Sequence, residues 1–410
     1  MAARRSRRAE TLLGPPEIIE AELTGVDPDG AATGVVVGDG PDREEVSAAF
    51  GLPGERVAME VWERRDGYVA GRVLRVLRPS PERIEPPCPY FGACGGCQWQ
   101  HAPYERQLAY KRDKVAVRLA GAGFDDIGVE PTLPAPSTYG YRNHARFSIG
   151  RKFGELGYTT YHAHRFFRVD ECPIAHPRIN DILKATQRRA AGHQLAVRVG
   201  ARTGDLLVNP PQQDDDLPYK SGQTYLEEEL LGRRFRVSAA AFFQVNTEQA
   251  ERLIGVTRDL LSLRETDVLL DLYCGVGTFG LALAPLARRV IGVEESAAAL
   301  KDAHYNARDL ANVEFLAGRT EDVLASLDER VDAAIVDPPR IGCRPGALEA
   351  LVRLAPRRLA YVSCDPASLA RDLRVLVDGG FALRTVQPVD MFPQTAHVET
   401  VALLTYADKV

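Results

Sequence analysis

Hydrophobic and polar positions change their rhythm along the chain. From Ile18 to Val76 they alternate in short runs, among them Glu20–Leu23, Thr33–Val37, Arg56–Val61 and Tyr68–Val76. Gly30, Gly38, Gly40, Gly51, Gly54 and Gly67 punctuate these runs. Period-two runs separated by turn residues predict a small β-barrel. The proline-dense run Pro79–Pro89 cannot be regular structure and marks a boundary. After it, Tyr104, Leu108, Val115 and Leu119 share one helical face, and Gly121 is a natural stop. Residues 190–240 return to alternating strands around the acidic loop Asp214–Asp216.

From about Ala240 the pattern becomes helix–strand alternation. It predicts a helix over Thr247–Leu261 with Thr or Asn at its cap, a buried strand Val268–Leu272, and a glycine turn with a helix to about Ala284. A strand Val290–Val293, a helix Ala297–Leu310 and strands Ala333–Val336, Leu359–Val362 and Val401–Thr405 follow. That spacing implies a parallel, doubly wound sheet. The domains expected are 13–78, 79–239 and 240–410.

Composition narrows the class. A chain of 410 residues suits two or three domains at about 150 residues each. With 45% hydrophobic and 26% charged residues and a mean hydropathy of −0.20, it reads as a soluble globular protein. No apolar run approaches the ~18 residues of a membrane span. The basic start (Arg4, Arg5, Arg7, Arg8) leads into no apolar stretch, so no secretory signal is expected. Seven cysteines in a chain this large argue for a reducing, cytoplasmic setting over a disulfide scaffold. The net charge of −5 argues weakly against nucleic acid as the partner. Lysine is scarce, 7 against 44 arginines, so phosphate contacts would fall to arginine.

Three constellations carry candidate chemistry. In DVLLDLYCGVGTFG (267–280) an apolar strand ends in Asp271, and Gly275 and Gly277 lead through Thr278 into a helix. Gly275–Gly280 also fits the dinucleotide pattern GxGxxG, a weak signal alone. An acid at the strand end can meet a cationic cofactor amine, and Glu294, ending the next strand, can take both ribose hydroxyls. Together these features resemble the class I S-adenosylmethionine methyltransferase fold. Second, Cys88, Cys94 and Cys97 lie within ten residues, with glycines between the last two. Cys172 is the best fourth ligand for a closed tetrahedral thiolate site, and spacing leaves zinc and [4Fe–4S] both open. Third, Asp337-Pro-Pro-Arg340, Ser363-Cys364-Asp365-Pro366 and His397-Val-Glu399 fall at strand ends. Cys364 is a nucleophile candidate there and Glu399 a general-base candidate. His397, Cys274 and Cys343 read as structural.

Taken together, these motifs resemble the bacterial RNA (uracil-5-)-methyltransferases, which make 5-methyluridine in 23S rRNA or tRNA. The match spans nearly the whole chain. Residues Ile18–Val76, with Gly51-Leu-Pro-Gly-Glu55, look like the family's OB-like TRAM barrel, and CPYFGACGGCQWQH (88–101) looks like its iron–sulfur motif. Phe243-Gln244-Val245-Asn246, the glycine turn, DPPR, YVSCDP and HVET follow in the family's order.

The resemblance implies a three-part α/β-plus-β enzyme. Its parts are the OB-like TRAM barrel, a central α+β RNA-binding domain with a [4Fe–4S] cluster on Cys88, Cys94, Cys97 and Cys172, and a Rossmann-like methyltransferase domain. The helix at about 99–125 would pack with the last of these. Cys364 would attack C6 of a uracil, and Glu399 would remove the C5 proton after methylation. Gln244, Asp271, Tyr273, Gly275, Gly277, Thr278, Glu294, Asp322 and Asp337 would surround S-adenosylmethionine, with Gln244 or Asp337 touching the uracil edge. The implied substrate is structured RNA, 23S rRNA ahead of tRNA, handled by a monomer away from any membrane. The cluster would order the RNA-binding domain and do no redox work.

Charge then needs a second reading. Residues 261–410 hold 16 basic against 21 acidic residues, so the acidity sits in the catalytic half. Within 142–168, Arg142, Arg146, Arg151, Lys152, Arg165 and Arg168 stand against Glu155 alone, interleaved with Tyr141, Phe147, Phe153, Tyr158, Tyr161, Phe166 and Phe167. Phosphate contact plus base stacking holds single-stranded RNA in this way. The plainer reading is a sheet with one basic face and one apolar face. The acidic stretch Asp39–Glu45 departs from the family pattern. Rival readings are a cytosine-5 RNA methyltransferase, a non-catalytic iron–sulfur RNA-binding protein and, weakest, a dinucleotide oxidoreductase. The HVET acid and the cysteine cluster disfavour the first; the joint presence of Cys364, Glu399 and the cofactor turn disfavours the second.

Overall fold

The computed structural model describes residues 16–38, 44–151 and 153–406. Most of the acidic stretch at 39–45, Gly40, Lys152 and the basic start lie outside them. The described residues fall into two compact units: one runs to Tyr110 and includes Gln394–Ala396, and the other holds Lys111–Pro393 and the chain from His397.

The first unit is built on a closed five-stranded barrel, ordered β1-β2-β3-β5-β4. The strands are β1 (Ile18–Val26), β2 (Ala32–Val36), β3 (Glu45–Ala49), β4 (Arg56–Arg65) and β5 (Tyr68–Arg78). The alternating runs show its existence in advance; β3, short and starting on an acid, is the strand the pattern did not single out. Inward residues Ala21, Leu23, Val46, Val57, Met59 and Val69 fill it. Glu55 is fully buried and made tolerable by its partners: Leu52 N–H donates to it at 2.9 Å and Arg83 pairs with it at 2.5 Å. Trp99 donates its indole N–H to Gly30 O at 2.8 Å, and Gln98 and Trp99 N–H groups hold Gln394 O.

Helix α1 (Tyr104–Ala120) runs across the division, and in the second unit its Val115 and Leu119 are fully buried. A five-stranded sheet follows, ordered β10-β9-β6-β7-β8, from β6 (His144–Ile149), β7 (Leu156–Thr159), β8 (Phe166–Arg168), β9 (Gln194–Val199) and β10 (Leu206–Asn209). Helix α2 (Pro177–Thr186) accompanies it, and β11 (Tyr225–Leu230) and β12 (Arg233–Ser238) form a hairpin.

The remainder is a seven-stranded sheet ordered β15-β14-β13-β16-β17-β19-β18. Its strands are β13 (Val268–Leu272), β14 (Arg289–Glu294), β15 (Val313–Ala317), β16 (Ala333–Val336), β17 (Arg358–Ser363), β18 (Phe381–Val389) and β19 (Glu399–Tyr406). Helices α3 (Thr247–Leu261), α4 (Thr278–Leu283), α5 (Ala297–Asn306), α6 (Thr320–Ser326), α7 (Pro345–Leu354) and α8 (Pro366–Asp378) belong to the same region. Two buried clusters take residues from this sheet, one with Leu270, Leu272 and Val336, the other with Leu269, Ile335 and Val362. Every residue of β13 is buried, which explains why it is apolar apart from Asp271. Asn246 caps α3 by accepting from Gln249 N–H, and Asp365 caps α8 with Pro366 in its first turn.

The expected doubly wound, Rossmann-like sheet is present, with an antiparallel strand on one side. β13 to β17 run parallel, but β19 pairs antiparallel with both β17 and β18. The start of β19 therefore lies at the carboxyl edge of the parallel strands.

Candidate active site

The carboxyl edge of the seven-stranded sheet collects most of the expected site residues. In open α/β sheets ligands bind at this edge. Asp271 is the next-to-last residue of β13, and the chain then turns through Tyr273, Gly275 and Gly277, all with positive φ (60°, 57° and 88°), before Thr278 opens α4. The turn can be this tight because two glycines accept the left-handed conformation without penalty. Gly280 permits a close approach: a Cβ there would lie 2.7 Å from Asp271 Oδ2. Instead the Gly280 N–H donates to that oxygen at 2.8 Å.

Asp271 Oδ1 is buried and has no partner. Burial is the main cause that pushes this carboxyl up to about 7, with the charges of Asp337 and Glu294 adding to it and Gly280 N–H opposing. An orphaned, desolvated carboxylate oxygen next to two other acids fits a cationic ligand. Glu294 is oriented rather than orphaned: Gly275 N–H donates to its Oε2 at 3.0 Å and Ser296 N–H to its Oε1 at 2.7 Å. Each oxygen keeps a further lone pair for an outside hydroxyl. Tyr273 is half-buried and reaches Thr320 and Cys343. Asp322, in the first turn of α6, is exposed, and its side chain meets none of the other acids by hydrogen bond. These features fit S-adenosylmethionine, whose ammonium and sulfonium charges and ribose diol match the acids in kind.

A second set of side chains lies along the same edge. Ser363, the last residue of β17, is in register with Thr400 of β19. Continuing that antiparallel register by one residue sets Cys364 opposite Glu399. Cys364 is half-buried, and burial followed by the Glu399 charge pushes its thiol up to about 11. Arg340 acts the other way, by charge and by hydrogen bond to the thiol. Glu399 is buried, and its carboxyl is pushed well above the usual range by burial and then by Asp337, against Arg340. Asp337, at the end of β16, is pushed up to about 7 by burial. Arg340 Nη2 also lies 3.5 Å from His397 Nδ1, and burial followed by nearby cations takes His397 down to about 4. Gln244 is buried just before α3, its carbonyl held by Asn143 Nδ2 at 3.2 Å.

Arg340 is the side chain beside Cys364 and His397 to which the sequence reading gives no role. The signal was present in the Asp-Pro-Pro-Arg loop, since a cation four residues past the end of β16 can reach a neighbouring strand end. Behind this loop Asp372 accepts from Cys343 N–H at 2.7 Å and from Tyr361 Oη at 2.5 Å, which holds the loop to α8.

The cysteine set is a different case. Cys88, Cys94, Cys97 and Cys172 are all half-buried, and Gly96 N–H donates to Cys94 Sγ at 3.4 Å. Thiols with amide donors suit an iron–sulfur cluster in kind. Among the described residues, however, no group of three or more His, Cys, Asp or Glu side chains is gathered to hold a metal ion. Within the basic–aromatic stretch, Tyr141 and Phe147 belong to the core, while Phe153 and Phe166 are exposed. The described helices include none long and apolar enough to cross a membrane.

Comparison with known proteins bears on this site. The family model described as tRNA (uracil-5-)-methyltransferase matches residues 221–407. An uncharacterized RNA methyltransferase of Thermosynechococcus vestitus is 37% identical over 91% of this chain and 95% of its own length. Another, from Halalkalibacterium halodurans, is 34% identical over 95% of this chain and 97% of its own. Among solved structures, the Pyrococcus abyssi tRNA (uracil-54, C5)-methyltransferase in complex with S-adenosyl-L-homocysteine superposes with a TM-score of 0.73 at 26% identity. That alignment covers 94% of this chain and 99% of the other.

Proposed function

The chain belongs to the RNA (uracil-5-)-methyltransferase family, and on that premise we propose that it methylates C5 of a uridine in structured RNA through a covalent Cys364–C6 adduct. We place 23S rRNA ahead of tRNA as the substrate, and the enzyme, a monomer, in the cytoplasm. The observation supporting the chemistry is the Cys364–Glu399 pair on the strand edge that also carries Asp271, Glu294 and Asp337.

Uracil C5 is a poor nucleophile until C6 is attacked. Cys364 forms a bond to C6 as thiolate, and the electron pair moves onto the ring as an enolate that makes C5 nucleophilic. S-Adenosylmethionine, when bound, supplies the electrophilic methyl group. Asp271 would meet its ammonium, Glu294 its ribose, and Tyr273, Gly275, Gly277 and Thr278 the walls around it; Asp322 would lie towards the adenine. Glu399 then takes the C5 proton, the C5–C6 double bond re-forms, and the C6–S bond breaks to return the Cys364 thiolate. A carboxyl held above its usual range is a stronger base for that proton. Arg340 lowers the cost of the thiolate at the first step and receives it back at the last. Asp337 or Gln244 would contact the uracil edge, and the base must leave its helix or loop to reach them.

The barrel (13–78) and the central region (79–239) would hold the RNA. For Cys88, Cys94 and Cys97, with Cys172 as fourth thiolate, we retain the [4Fe–4S] cluster as a structural proposal on thiol chemistry. Electron balance in the methyl transfer requires nothing from it. Incubating the protein with labelled S-adenosylmethionine and either 23S rRNA or bulk tRNA tests the substrate. Methyl incorporation as 5-methyluridine in 23S rRNA is expected; incorporation only into tRNA, or only into cytidine, contradicts the reading.

A further inference from the structure

The sheet that carries β6, β9 and β10 has two unlike faces. Antiparallel register sets His144 opposite Arg198 and Arg146 opposite Ala196, while Leu207 and Asn209 of β10 face Arg198 and Ala196 in turn. Because side chains alternate along strands, these residues share one face. Ala145, Phe147, Leu195, Val197 and Val208 take the other face and are buried. The apolar face explains the fold; the basic face needs a different account.

Arg198 is only 6% exposed. Its Nη1 donates to Ala241 O at 3.1 Å, and its Nη2 lies 3.4 Å from His144 Nδ1. Neither partner carries a negative charge. Burial, and then the charge of Arg146, pull Arg198 down to about 10, still protonated at neutral pH. His144 is driven to about 3 by burial and by Arg198, Arg142 and Arg146, so it is neutral. No carboxylate contributes at either residue, and among the described residues neither Arg146 nor Arg198 forms an ion pair. Other shielded arginines here are matched: Arg357 pairs with Asp267 at 2.7 Å and Arg236 with Asp302 at 3.0 Å. A buried cation without a counter-charge is costly, and it is expected where an outside anion completes the site.

That anion has room. His144, Arg146, Gln194, Arg198 and Asn209 line a cleft of about 300 Å³. Two guanidiniums with neutral polar neighbours suit a phosphodiester, whose two free oxygens match the planar fork. The cleft is also tied to the catalytic edge. Arg198 holds the carbonyl of Ala241, three residues before Gln244, and the charge of Arg142 acts on both His144 and His397.

We propose that this cleft binds a backbone phosphate of the RNA substrate, with Arg198 and Arg146 supplying the charge and His144, Gln194 and Asn209 the neutral contacts. The site rests on the RNA-methylation reading given above, and it would fix the strand next to the nucleotide whose base enters the Cys364 pocket. Phosphate contacts position a strand without reading its sequence.

The test is equilibrium binding of a uridine-containing 23S rRNA fragment across a salt series. Arg146→Glu, at an exposed position, is expected to weaken binding at least tenfold. Arg146→Gln and Arg198→Gln are each expected to weaken it several-fold and to reduce the slope of log K against log salt by about one. Arg198→Lys keeps the charge and is expected to restore most of the affinity, which separates the anion contact from packing. S-Adenosylhomocysteine binding checks that each variant is folded. Unchanged affinity and slope for Arg146→Glu and Arg146→Gln overturn the site. So does an equal loss from Arg330→Glu, on a side chain 88% exposed, since net charge would then explain both. Uridine methylation by the parent protein with no Arg146 effect rejects the cleft alone. An Arg146 effect on RNA binding without any uridine methylation rejects the catalytic reading and leaves the cleft.

Discussion

Cys364 and Glu399 stand opposite each other at the carboxyl edge of the sheet, because Ser363 of β17 pairs in antiparallel register with Thr400 of β19. The proposed nucleophile and the proposed base, separated by 35 residues, thus share one point of the fold. Their roles are separable. Cys364→Ala is expected to abolish methyl transfer, by on the order of 10⁴-fold or more, while S-adenosylhomocysteine binding persists. Glu399→Gln is expected to stop the reaction after methylation, so that protein–RNA adducts accumulate and survive denaturing gel electrophoresis. Turnover by the Cys364 variant, or adducts formed without Cys364, would refute the assignment.

Arg340 opposes the burial that holds the Cys364 thiol at about 11. Removing the cation raises the thiol further, and less thiolate is present at neutral pH. Arg340→Ala should therefore lose about tenfold or more in kcat near neutral pH for each pKa unit gained. The loss should shrink as pH rises towards the parent's thiol range. Arg340→Lys should recover part of it. A pH-independent loss confined to KM would show that Arg340 only binds RNA.

Burial pushes the Asp271 carboxyl up to about 7, from an ordinary value near 3.8. The folded state thus binds the proton more tightly than the unfolded one. Its contribution to stability is fully present below about 3.8 and is lost as pH rises through about 7. Asp337 shifts in the same direction, to about 7. Without ligand, thermal stability should fall across this window, and Asp271→Asn should flatten the fall. A cationic ligand favours the ionised carboxylate, so S-adenosylmethionine affinity should rise with pH through about 7 and lose that rise in Asp271→Asn. Calorimetric titration between about pH 5.5 and 8 measures both.

The cysteine set makes a compositional prediction. Protein isolated without oxygen should contain iron and acid-labile sulfide in equal amounts, and Cys94→Ser should lose both. Stoichiometric zinc with no iron would replace the cluster by a structural zinc site.

Much of this fold can be read from local chemistry. Val268–Leu272 is recognisable because a strand covered on both faces is apolar except where, as at Asp271, a site needs a charge, and the helix beginning at Thr247 because Asn246 is a ready cap. The direction of β19 is not readable in this way. It depends on where β18 inserts, and β18 carries Thr385, Gln387 and Pro388 within its span, which blur its periodicity. β15 is half-buried along most of its length at the sheet edge, so its pattern is weak. At the site, Asp271, Glu294, Cys364 and Glu399 are marked by position at strand ends. Arg340 is marked only by its place in the Asp-Pro-Pro-Arg loop, and Arg198 not at all, because its significance lies in which charges surround it across the fold. Tyr141 and Phe147 show the reverse: within a stretch rich in basic residues they were candidates for stacking, and alternation turned them into the core.

The most direct test of uridine-C5 methylation is nucleoside mass spectrometry with site mapping on 23S rRNA and tRNA from a strain lacking this protein, beside the same strain complemented with it. We expect one 5-methyluridine to disappear from 23S rRNA and to return with the parent protein but not with Cys364→Ala. Retention of every 5-methyluridine in both RNAs would contradict the assignment.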